Sequence, residues 1–578
     1  MLALIETFDA PFAQRALAAV LLVALLGAAI GPAVVLRELQ FFTHSVGSGA
    51  YPAIVLSFVA GVAVATGALV GAVVFAALIA LVGRRSARRD AAIGVCIAAA
   101  LALGAVLAST VGAHDGRLSV SAEGLLFGSV LTVDGAALTA LAVVTLLAVA
   151  ASWLLGERWL AAAFDPSSGA RNGVAEAALY VAIAISVGAS LPVTGALLAP
   201  ALLVLPASTA RIFTDRVNTL VPATLALATI EGVFGLYLAL SLDLPTGAAI
   251  AALAGGVFVV CALASQLRRV PAARAAAPAA LLAVALFAAG CGSSGNSASG
   301  NDEEAVRVVA TTSQVADIVR HVGGNAIELD TIIGAGGDSH DFEPRASDLA
   351  ALADADVIFA SGGDVDSWIA PAAKASGTDA DVVTLSDHVR LIGGDSDTGF
   401  NAHWYLDPGN VATATQEVRD ELVKAAPDVR ETLRANADSF IIEAEESGSF
   451  IRACVKRLPE DARAIVTGHD DFDYLAAASG IEIAARLTDS GQSEPSARDV
   501  QDAVAAGQKS NARSVVVSQG EASQLAERVA ESLDVPLLEL YADSLGRGRA
   551  ATLLGSINHD VSEIARAADS GVDCWSGR

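Results

Sequence analysis

Two different patterns of apolar and polar residues divide the chain near its middle. Up to about residue 270, long apolar runs recur with short polar loops between them, and they approach the ~20 residues that a membrane helix needs. We predict nine spans, of which the second and third share one nearly unbroken run. The predicted spans are residues 16–36, 52–66, 67–83, 91–109, 135–155, 174–190, 194–210, 219–240 and 246–265.

Beyond residue 300 the apolar runs are short and alternate with helical patterns. Strand-like runs occur at residues 306–313, 356–360, 464–467 and 514–517. Short buried strands that alternate with helices predict α/β lobes with parallel sheets. Residues 428–458 lack strand signals and are rich in Glu, Ala, Arg and Leu. We therefore predict an all-α polytopic membrane domain over residues 1–270, followed over residues 301–578 by two α/β lobes, about 304–427 and 459–578, joined by one linker helix.

The junction between the two patterns, residues 271–300, has the three parts of a secretory signal. Basic residues up to Arg274 precede an apolar run too short for an ordinary span, and small residues follow. Ala288-Ala-Gly-Cys291 resembles a bacterial lipobox, in which cleavage occurs before a cysteine that then carries lipid. Residues 292–300 supply a Gly/Ser/Asn-rich tether. The resemblance implies lipidation of Cys291; the alternative is a tenth membrane helix with an incidental cysteine.

Arginine placement gives the orientation of the predicted spans. Arginines mark cytoplasmic loops, and here they fall in alternate loops. The positions are Arg37, the cluster Arg84, Arg85, Arg88 and Arg89, then Arg158 with Arg171, Arg211 with Arg216, and Arg268 with Arg269. The ninth span then ends in the cytoplasm, which is the side from which a secretory signal must start. The second half is therefore expected outside a bacterial plasma membrane.

Charge and cysteine content differ between the halves. Residues 1–275 carry 14 basic and 13 acidic residues, whereas residues 276–578 carry 22 basic and 49 acidic ones. The acidic half argues against nucleic-acid binding, because no basic patch is available to neutralise phosphates. Of the five cysteines, Cys454 and Cys574 both follow the signal, so a disulfide between them is a hypothesis for an oxidising compartment.

Five stretches of the first half carry a resemblance to a known family: residues 34–37, 125–131, 163–166, 195–211 and 244–247. They resemble the permease subunits of zinc/manganese-type ABC importers, the ABC-3 family. The resemblance implies a permease dimer in which the loop around Phe164 and Asp165 meets an ATPase; a plain connector ended by Pro166 is the alternative. The chain has no Gly-x-x-x-x-Gly-Lys-Ser/Thr sequence, so we expect no nucleotide site and a separate ATPase chain.

Two residues are candidates for a metal path through the membrane. Family members commonly carry an Asp and a His near the second span, whereas this chain has His44 and Ser48 at those positions. This departure puts the family's path ligands in doubt, although His44 could take over part of their role. Glu231 lies inside an apolar run, where a carboxylate is costly and is by default a pathway candidate. A protonated Glu231 bonded to a neighbouring helix is the structural alternative.

Three histidines of the second half have acidic or strand-end settings. His340 lies in Asp338-Ser-His-Asp-Phe-Glu-Pro344, His403 in Asn401-Ala-His-Trp-Tyr-Leu-Asp-Pro408, and His469 follows the strand at 464–467. The first two precede the predicted linker helix and the third follows it. Ligands from both lobes would meet in the cleft, because parallel sheets place binding residues at the carboxyl ends of their strands.

These settings resemble the cluster A-I solute-binding proteins, the receptors of zinc and manganese ABC importers. The resemblance implies that two lobes joined by a rigid helix bury one metal ion. It assigns His340, His403 and His469 as the first three ligands and Asp543 as the fourth. The family frequently has a Glu at the position of Ser518, so that position is not carried over.

Three imidazoles and one carboxylate suit Zn(II), whereas Mn(II) prefers more oxygen donors. We therefore expect the permease and receptor of an importer for Zn(II), with Mn(II) or iron as alternatives. Two other hypotheses for the function of the chain are a metal-dependent adhesin and a zinc hydrolase. Against the hydrolase, four protein ligands leave no open position for water, and the chain contains no His-Glu-x-x-His sequence.

Overall fold

The structure is a computed structural model of the whole chain, and its described residues form two compact units, the first made mainly of residues before 268 and the second mainly of residues after 305. The described residues are 8, 10–60, 62–83, 89–115, 130–164, 173–267, 306–337, 339, 342, 344–393, 400–488, 497–519, 524–569, 571, 572 and 574.

The first unit is helical. Its helices are α1 (Pro11–Leu36), α2 (Gln40–Gly49), α3 (Tyr51–Val59), α4 (Val64–Gly83), α5 (Arg89–Asp115), α6 (Gly135–Phe164), α7 (Gly173–Phe213), α8 (Val217–Leu242) and α9 (Thr246–Leu267). Among the described residues, six segments are long and apolar enough to cross a membrane: Pro11–Leu36, Val64–Leu81, Gly135–Phe164, Gly173–Gly195, Val217–Leu242 and Thr246–Gln266.

The second predicted span, 52–66, corresponds to α3, which begins one residue earlier at Tyr51 and ends at Val59. The helix before it, α2, was not predicted and makes residues 40–49 helical, with only Ala50 between the two helices. The polar residues of α2 hid this helix from a hydropathy argument. The Thr43 hydroxyl donates to the Leu39 carbonyl oxygen at 2.9 Å and the Ser45 hydroxyl to that of Phe42 at 2.6 Å. These bonds satisfy buried hydroxyls inside the helix.

The predicted sixth and seventh spans are both in α7. This segment is interrupted at Gly195, whose φ of 73° lies in the left-handed region that glycine tolerates. Helix α1 packs closely against the part of α7 that follows the interruption. A Cβ on Gly31 would lie 2.6 Å from the Leu203 carbonyl oxygen, and one on Gly27 would lie 3.4 Å from that of Leu202. Glycines four residues apart thus let these two apolar helices approach backbone to backbone.

The second unit consists of two α/β lobes. The first lobe has β1 (Val306–Thr312), α10 (Ser313–Gly323), β2 (Ile327–Ile333), α11 (Ala346–Asp354), β3 (Val357–Ala360), α12 (Ile369–Ser376), β4 (Asp381–Thr384) and α13 (Pro408–Ala425). After α14 (Arg430–Val455), the second lobe has β5 (Ala464–Thr467), α15 (Asp473–Ser479), β6 (Glu482–Arg486), α16 (Ala497–Lys509), β7 (Val515–Ser518), α17 (Gln524–Leu533), β8 (Leu537–Leu540) and α18 (Leu553–Ala568).

Both sheets are fully parallel and have the same strand pattern, β2-β1-β3-β4 in the first lobe and β6-β5-β7-β8 in the second. The predicted fold class, a helical membrane half followed by two parallel α/β lobes, is confirmed. In each sheet the strand order reverses beside the first strand, so the second lobe has its crevice outside the carboxyl ends of β5 and β7. Helix α14 packs on α13 and α18.

Candidate metal centre

Loops at the carboxyl ends of strands carry the candidate ligands of the second lobe. His469 follows β5 after one glycine, and Asp543 lies three residues beyond β8. The Thr467 hydroxyl donates to the His469 carbonyl oxygen at 2.7 Å, which fixes the start of the β5 loop. Because β5 and β8 belong to the same sheet, both side chains lie at the same edge of it.

The first lobe contributes His403, from the loop that precedes α13. Its neighbour Trp404 is fully buried and donates its indole N–H to the Ser361 carbonyl oxygen at 3.0 Å, just beyond β3. Ser361 is fixed in turn, since its backbone N–H donates to the Asp366 carboxylate at 2.6 Å. The sequence around His403 therefore anchors this loop to the carboxyl end of the first sheet.

The imidazole of His403 has a partner on each nitrogen. Nε2 lies 2.9 Å from Asp543 Oδ1, and Nδ1 lies 2.9 Å from Asn401 Oδ1, which also accepts from the His403 backbone N–H. Asn401 is held by Tyr474, whose hydroxyl donates to the Asn401 carbonyl oxygen at 3.0 Å. Both nitrogens of His403 thus face acceptors, an arrangement that orients the ring toward Asp543 and favours its protonated form.

His469 completes the contact between the lobes. Its ring is buried and its centroid lies 5.6 Å from that of His403. Nδ1 lies 3.4 Å from Asp470 Oδ1, and Nε2 lies 3.6 Å from Asp471 Oδ2. His469, Asp471 and Asp543 can place one ligand atom each within 4.8 Å of one another. Donor atoms around a four-coordinate ion with ~2.1 Å bonds lie about 3.4 Å apart, so these groups suit one divalent cation.

Opposing effects set the protonation of this site. Burial disfavours the charged form of His403, but the hydrogen bond to Asp543 and the charge of that carboxylate outweigh it and raise the pKa of His403 above its ordinary value. Burial also favours neutral Asp470, yet the hydrogen bond from His469 and the charge of His403 prevail and lower the pKa of Asp470. The raised pKa of His403 means that a metal ion would compete with a proton for this imidazole.

The two lobes are also bonded to each other next to the site. The Gln314 side-chain amide, from the start of α10, donates to the Ala542 carbonyl oxygen at 2.9 Å. The Leu545 backbone N–H donates to the Ser313 hydroxyl at 3.3 Å. Residues on both sides of Asp543 are thus tied to the first lobe, which positions the Asp543 carboxylate against His403.

Sequence reasoning assigned no role to Asp471 or Asn401, and it set Ser518 aside as a ligand position. Asp471 is fully buried, and its Oδ2 accepts from the Ser518 hydroxyl at 3.1 Å. Its signal was visible in the acidic run Asp470-Asp-Phe-Asp473 directly after a strand. The convergence of β5 and β7 at one crevice, which the sequence does not show, is what brings Asp471 to Ser518.

Three of the remaining predicted site residues, His340, Asp165 and Cys291, fall outside the described residues. Cys454, in the last turn of α14, is joined to Cys574 by a disulfide. Phe164 is the last residue of α6 and is exposed, as is His44 on α2.

Glu231 lies in the helical unit and is 3% exposed. Within the part of the chain that the structure describes, neither of its carboxylate oxygens has a hydrogen-bond partner. It borders a cavity of about 20 Å³ that Thr194, Pro206 and Gly232 also line. A cavity of this size holds about one water molecule.

Comparisons with known proteins match the two halves separately. Residues 9–265 match the ABC 3 transport family, and residues 308–567 match the family described as zinc-uptake complex component A, periplasmic. The manganese-binding lipoprotein MntA of Bacillus subtilis is 26% identical over 301 residues, 50% of this chain and 97% of its own length.

Two further comparisons concern zinc-binding proteins. The zinc-binding lipoprotein AdcA of Streptococcus pneumoniae is 28% identical over 208 residues, 33% of this chain and 41% of its own length. The solved structure of the periplasmic zinc-binding protein TroA from Treponema pallidum has a TM-score of 0.42 and 22% identity, covering 45% of this chain and 98% of that chain.

Proposed function

Since the chain joins an ABC 3 transport family domain to a domain of the zinc-uptake component A family, we propose that it is both permease and extracytoplasmic receptor of one metal importer. Neither family is an enzyme family. The observation that carries the proposal is the buried contact between His403 and Asp543, with His469 beside it. The cargo is a divalent transition metal ion, because imidazole and carboxylate donors converge there.

Metal capture follows from the geometry of this contact. His403 gives up the proton that it shares with Asp543, and the Nε2 lone pair and the carboxylate oxygen then face the metal ion. His469 supplies a second imidazole, and His340 is proposed as a further ligand from the first lobe. Three imidazoles with Asp543 favour Zn(II), while relatives that bind manganese, zinc or iron make Mn(II) and Fe(II) alternatives.

Translocation is assigned to the helical half. An ABC importer needs an ATPase, which we propose to be a separate chain that contacts the loop around Phe164 and Asp165. We propose that two permease halves associate and that Glu231 lies on the metal path, because it is a buried carboxylate beside a small cavity. His44 is the weaker path candidate, since it is exposed on α2.

Membrane attachment of the receptor is assigned to the junction segment. We propose that the helical half crosses a bacterial plasma membrane and that the second half is outside it, anchored by lipid on Cys291 or by the uncleaved chain. An uncleaved link would keep the receptor at an effective concentration of about millimolar beside its permease.

Metal uptake by cells tests the proposal. Cells that express the chain with its ATPase partner should accumulate Zn(II) or Mn(II), and deletion of the ATPase should abolish uptake without changing metal binding by the purified chain. Uptake that does not depend on an ATPase contradicts the proposal. Surface attachment without any uptake would identify the chain as an adhesin instead.

A further inference from the structure

Asp471 is a buried carboxylate at the candidate metal centre to which the sequence assigned no role. It is fully buried in the loop after β5. Its Oδ1 accepts from the Phe472 backbone N–H at 3.1 Å, and its Oδ2 accepts from the Ser518 hydroxyl at 3.1 Å. The same Oδ2 lies 3.6 Å from Nε2 of His469. One oxygen is therefore held within reach of an atom that a metal would use.

Burial of this carboxylate requires compensation. A buried ionised carboxylate costs several kcal/mol unless it is paired and hydrogen-bonded. The hydroxyl of Ser518 and the N–H of Phe472 both donate to Asp471. Asp543 adds a second carboxylate nearby, so a divalent cation bound beside His469 would add positive charge next to both carboxylates.

The distances fit one coordination sphere. Ligand atoms of His469, Asp471 and Asp543 all lie within 4.8 Å of one another. Around an ion with bonds of about 2.1 Å, donor atoms are separated by about 3 to 4.2 Å, depending on the coordination number. Asp471 thus needs no large movement to bind the ion that His469 and Asp543 bind.

We propose that Asp471 is itself a metal ligand and that its carboxylate adapts this site to Mn(II) as well as Zn(II). The inference rests on the proposed metal-receptor function. A second carboxylate adds a hard oxygen donor and raises the number of available ligands, both of which Mn(II) prefers more strongly than Zn(II) does. Without Asp471, the two imidazoles of His403 and His469, Asp543 and the proposed further ligand still make a four-coordinate set suited to Zn(II).

The test replaces Asp471 by asparagine in the purified full-length chain. Asp471→Asn keeps the shape of the side chain but removes its charge. In competition with a metal indicator, the variant should lose at least about tenfold in Mn(II) affinity and less than about threefold in Zn(II) affinity, because Mn(II) prefers additional oxygen donors whereas four ligands already suit Zn(II). An unchanged ratio of Mn(II) to Zn(II) affinity overturns the proposal.

Asp473→Asn is the matched control. It makes the same chemical change two residues later, but the Asp473 carboxylate accepts from Arg486 Nε at 3.0 Å and is not among the candidate ligands. Its ratio of affinities should equal that of the unmodified chain. If Asp473→Asn shifts the ratio as much as Asp471→Asn does, a general loss of negative charge explains the result and the ligand role fails.

Cobalt(II) provides a readout of coordination itself. Its visible absorption bands become more intense as coordination number falls, so the Co(II)-loaded Asp471→Asn chain should absorb more strongly than the unmodified chain. Identical spectra contradict a ligand role for Asp471. An unmodified chain that binds neither Mn(II), Zn(II) nor Co(II) contradicts the proposed receptor function, whereas binding that is indifferent to Asp471→Asn contradicts only this inference.

Discussion

His403 and Asp543 are 140 residues apart in sequence, yet Nε2 of the imidazole lies 2.9 Å from Oδ1 of the carboxylate. The contact joins the first lobe to the second at a buried position, and His403 is only 2% exposed. The same two side chains thus join the lobes, and we propose that they also bind the metal ion by giving up the proton between them.

Metal affinity should therefore depend on pH. The pKa of His403 is raised, so the ring is protonated up to a higher pH than a free histidine, and a protonated imidazole cannot ligate. Metal affinity is highest above this pKa and falls as pH drops through it. The fall is up to about tenfold per pH unit for each proton that the metal ion must displace. Indicator competition over about pH 5.5 to 8 measures the slope.

His388→Ala is the control for the pH profile. Its Nδ1 lies 3.2 Å from Glu417 Oε2, and it is not one of the candidate ligands. The variant should keep the pH dependence of the unmodified chain. Affinity that stays flat down to pH 5.5 would show that no histidine proton is exchanged for the metal.

The Cys454–Cys574 disulfide should stabilise the second unit without taking part in metal binding. It closes a loop with a sequence separation of 120 residues. Its removal should lower the free energy of unfolding by about 2–5 kcal/mol. Pulse proteolysis in urea measures the free energy of unfolding of the double variant Cys454→Ser/Cys574→Ser. The control is Cys96→Ser/Cys261→Ser, which changes two free cysteines.

Equal stability of the two double variants would contradict a stabilising disulfide. Loss of metal binding by Cys454→Ser/Cys574→Ser would contradict its independence from the metal site.

Glu231 should be needed for transport but not for capture. Glu231→Gln keeps the size of the side chain and removes the charge that would hold a cation in the path. Uptake by cells should fall at least about tenfold, because a carboxamide cannot balance a divalent cation, while metal binding by the purified chain stays unchanged.

Ser186→Ala is the control for Glu231. The Ser186 hydroxyl is buried in α7 and also lacks a hydrogen-bond partner among the described residues, so its loss tests whether any buried polar group matters. It should transport normally. Normal uptake by Glu231→Gln would instead support a neutral, structural Glu231.

Cys291 should determine whether one or two polypeptides are found. If the chain is cleaved before Cys291, a denaturing gel of the purified protein shows two bands of nearly equal mass, and Cys291→Ala converts them to one band. If the chain is not cleaved, both versions give one full-length band. Two bands that persist in Cys291→Ala would contradict the resemblance to a lipobox.

The strands visible in the sequence were the central ones. The predicted runs became β1, β3, β5 and β7, and β3, β5 and β7 are buried at every residue. The edge strands β2, β4, β6 and β8 are only partly buried. In β4, for example, the first two residues are exposed and the last two are half-buried. A strand with one neighbour in its sheet does not need a continuous apolar run, so its sequence resembles that of a loop.

The metal centre was predictable only as separate motifs. His403 and His469 could be named from their acidic or strand-end settings, and the resemblance added Asp543. Asp471 could not be assigned, because its role depends on Ser518 and on the side-by-side packing of β5 and β7. In the helical half, hydrophobicity located most spans but missed α2, whose buried hydroxyls bond to their own helix.

Metal titration of the purified full-length chain and its His403→Ala variant tests the central claim most directly. His403→Ala removes an imidazole ligand and leaves Asp543 without its partner across the lobes. Calorimetry should show one tight site for Zn(II) or Mn(II) in the unmodified chain and a loss of at least about 100-fold in affinity in the variant. No tight binding by the unmodified chain, or binding that His403→Ala does not weaken, would contradict a metal receptor built on this site.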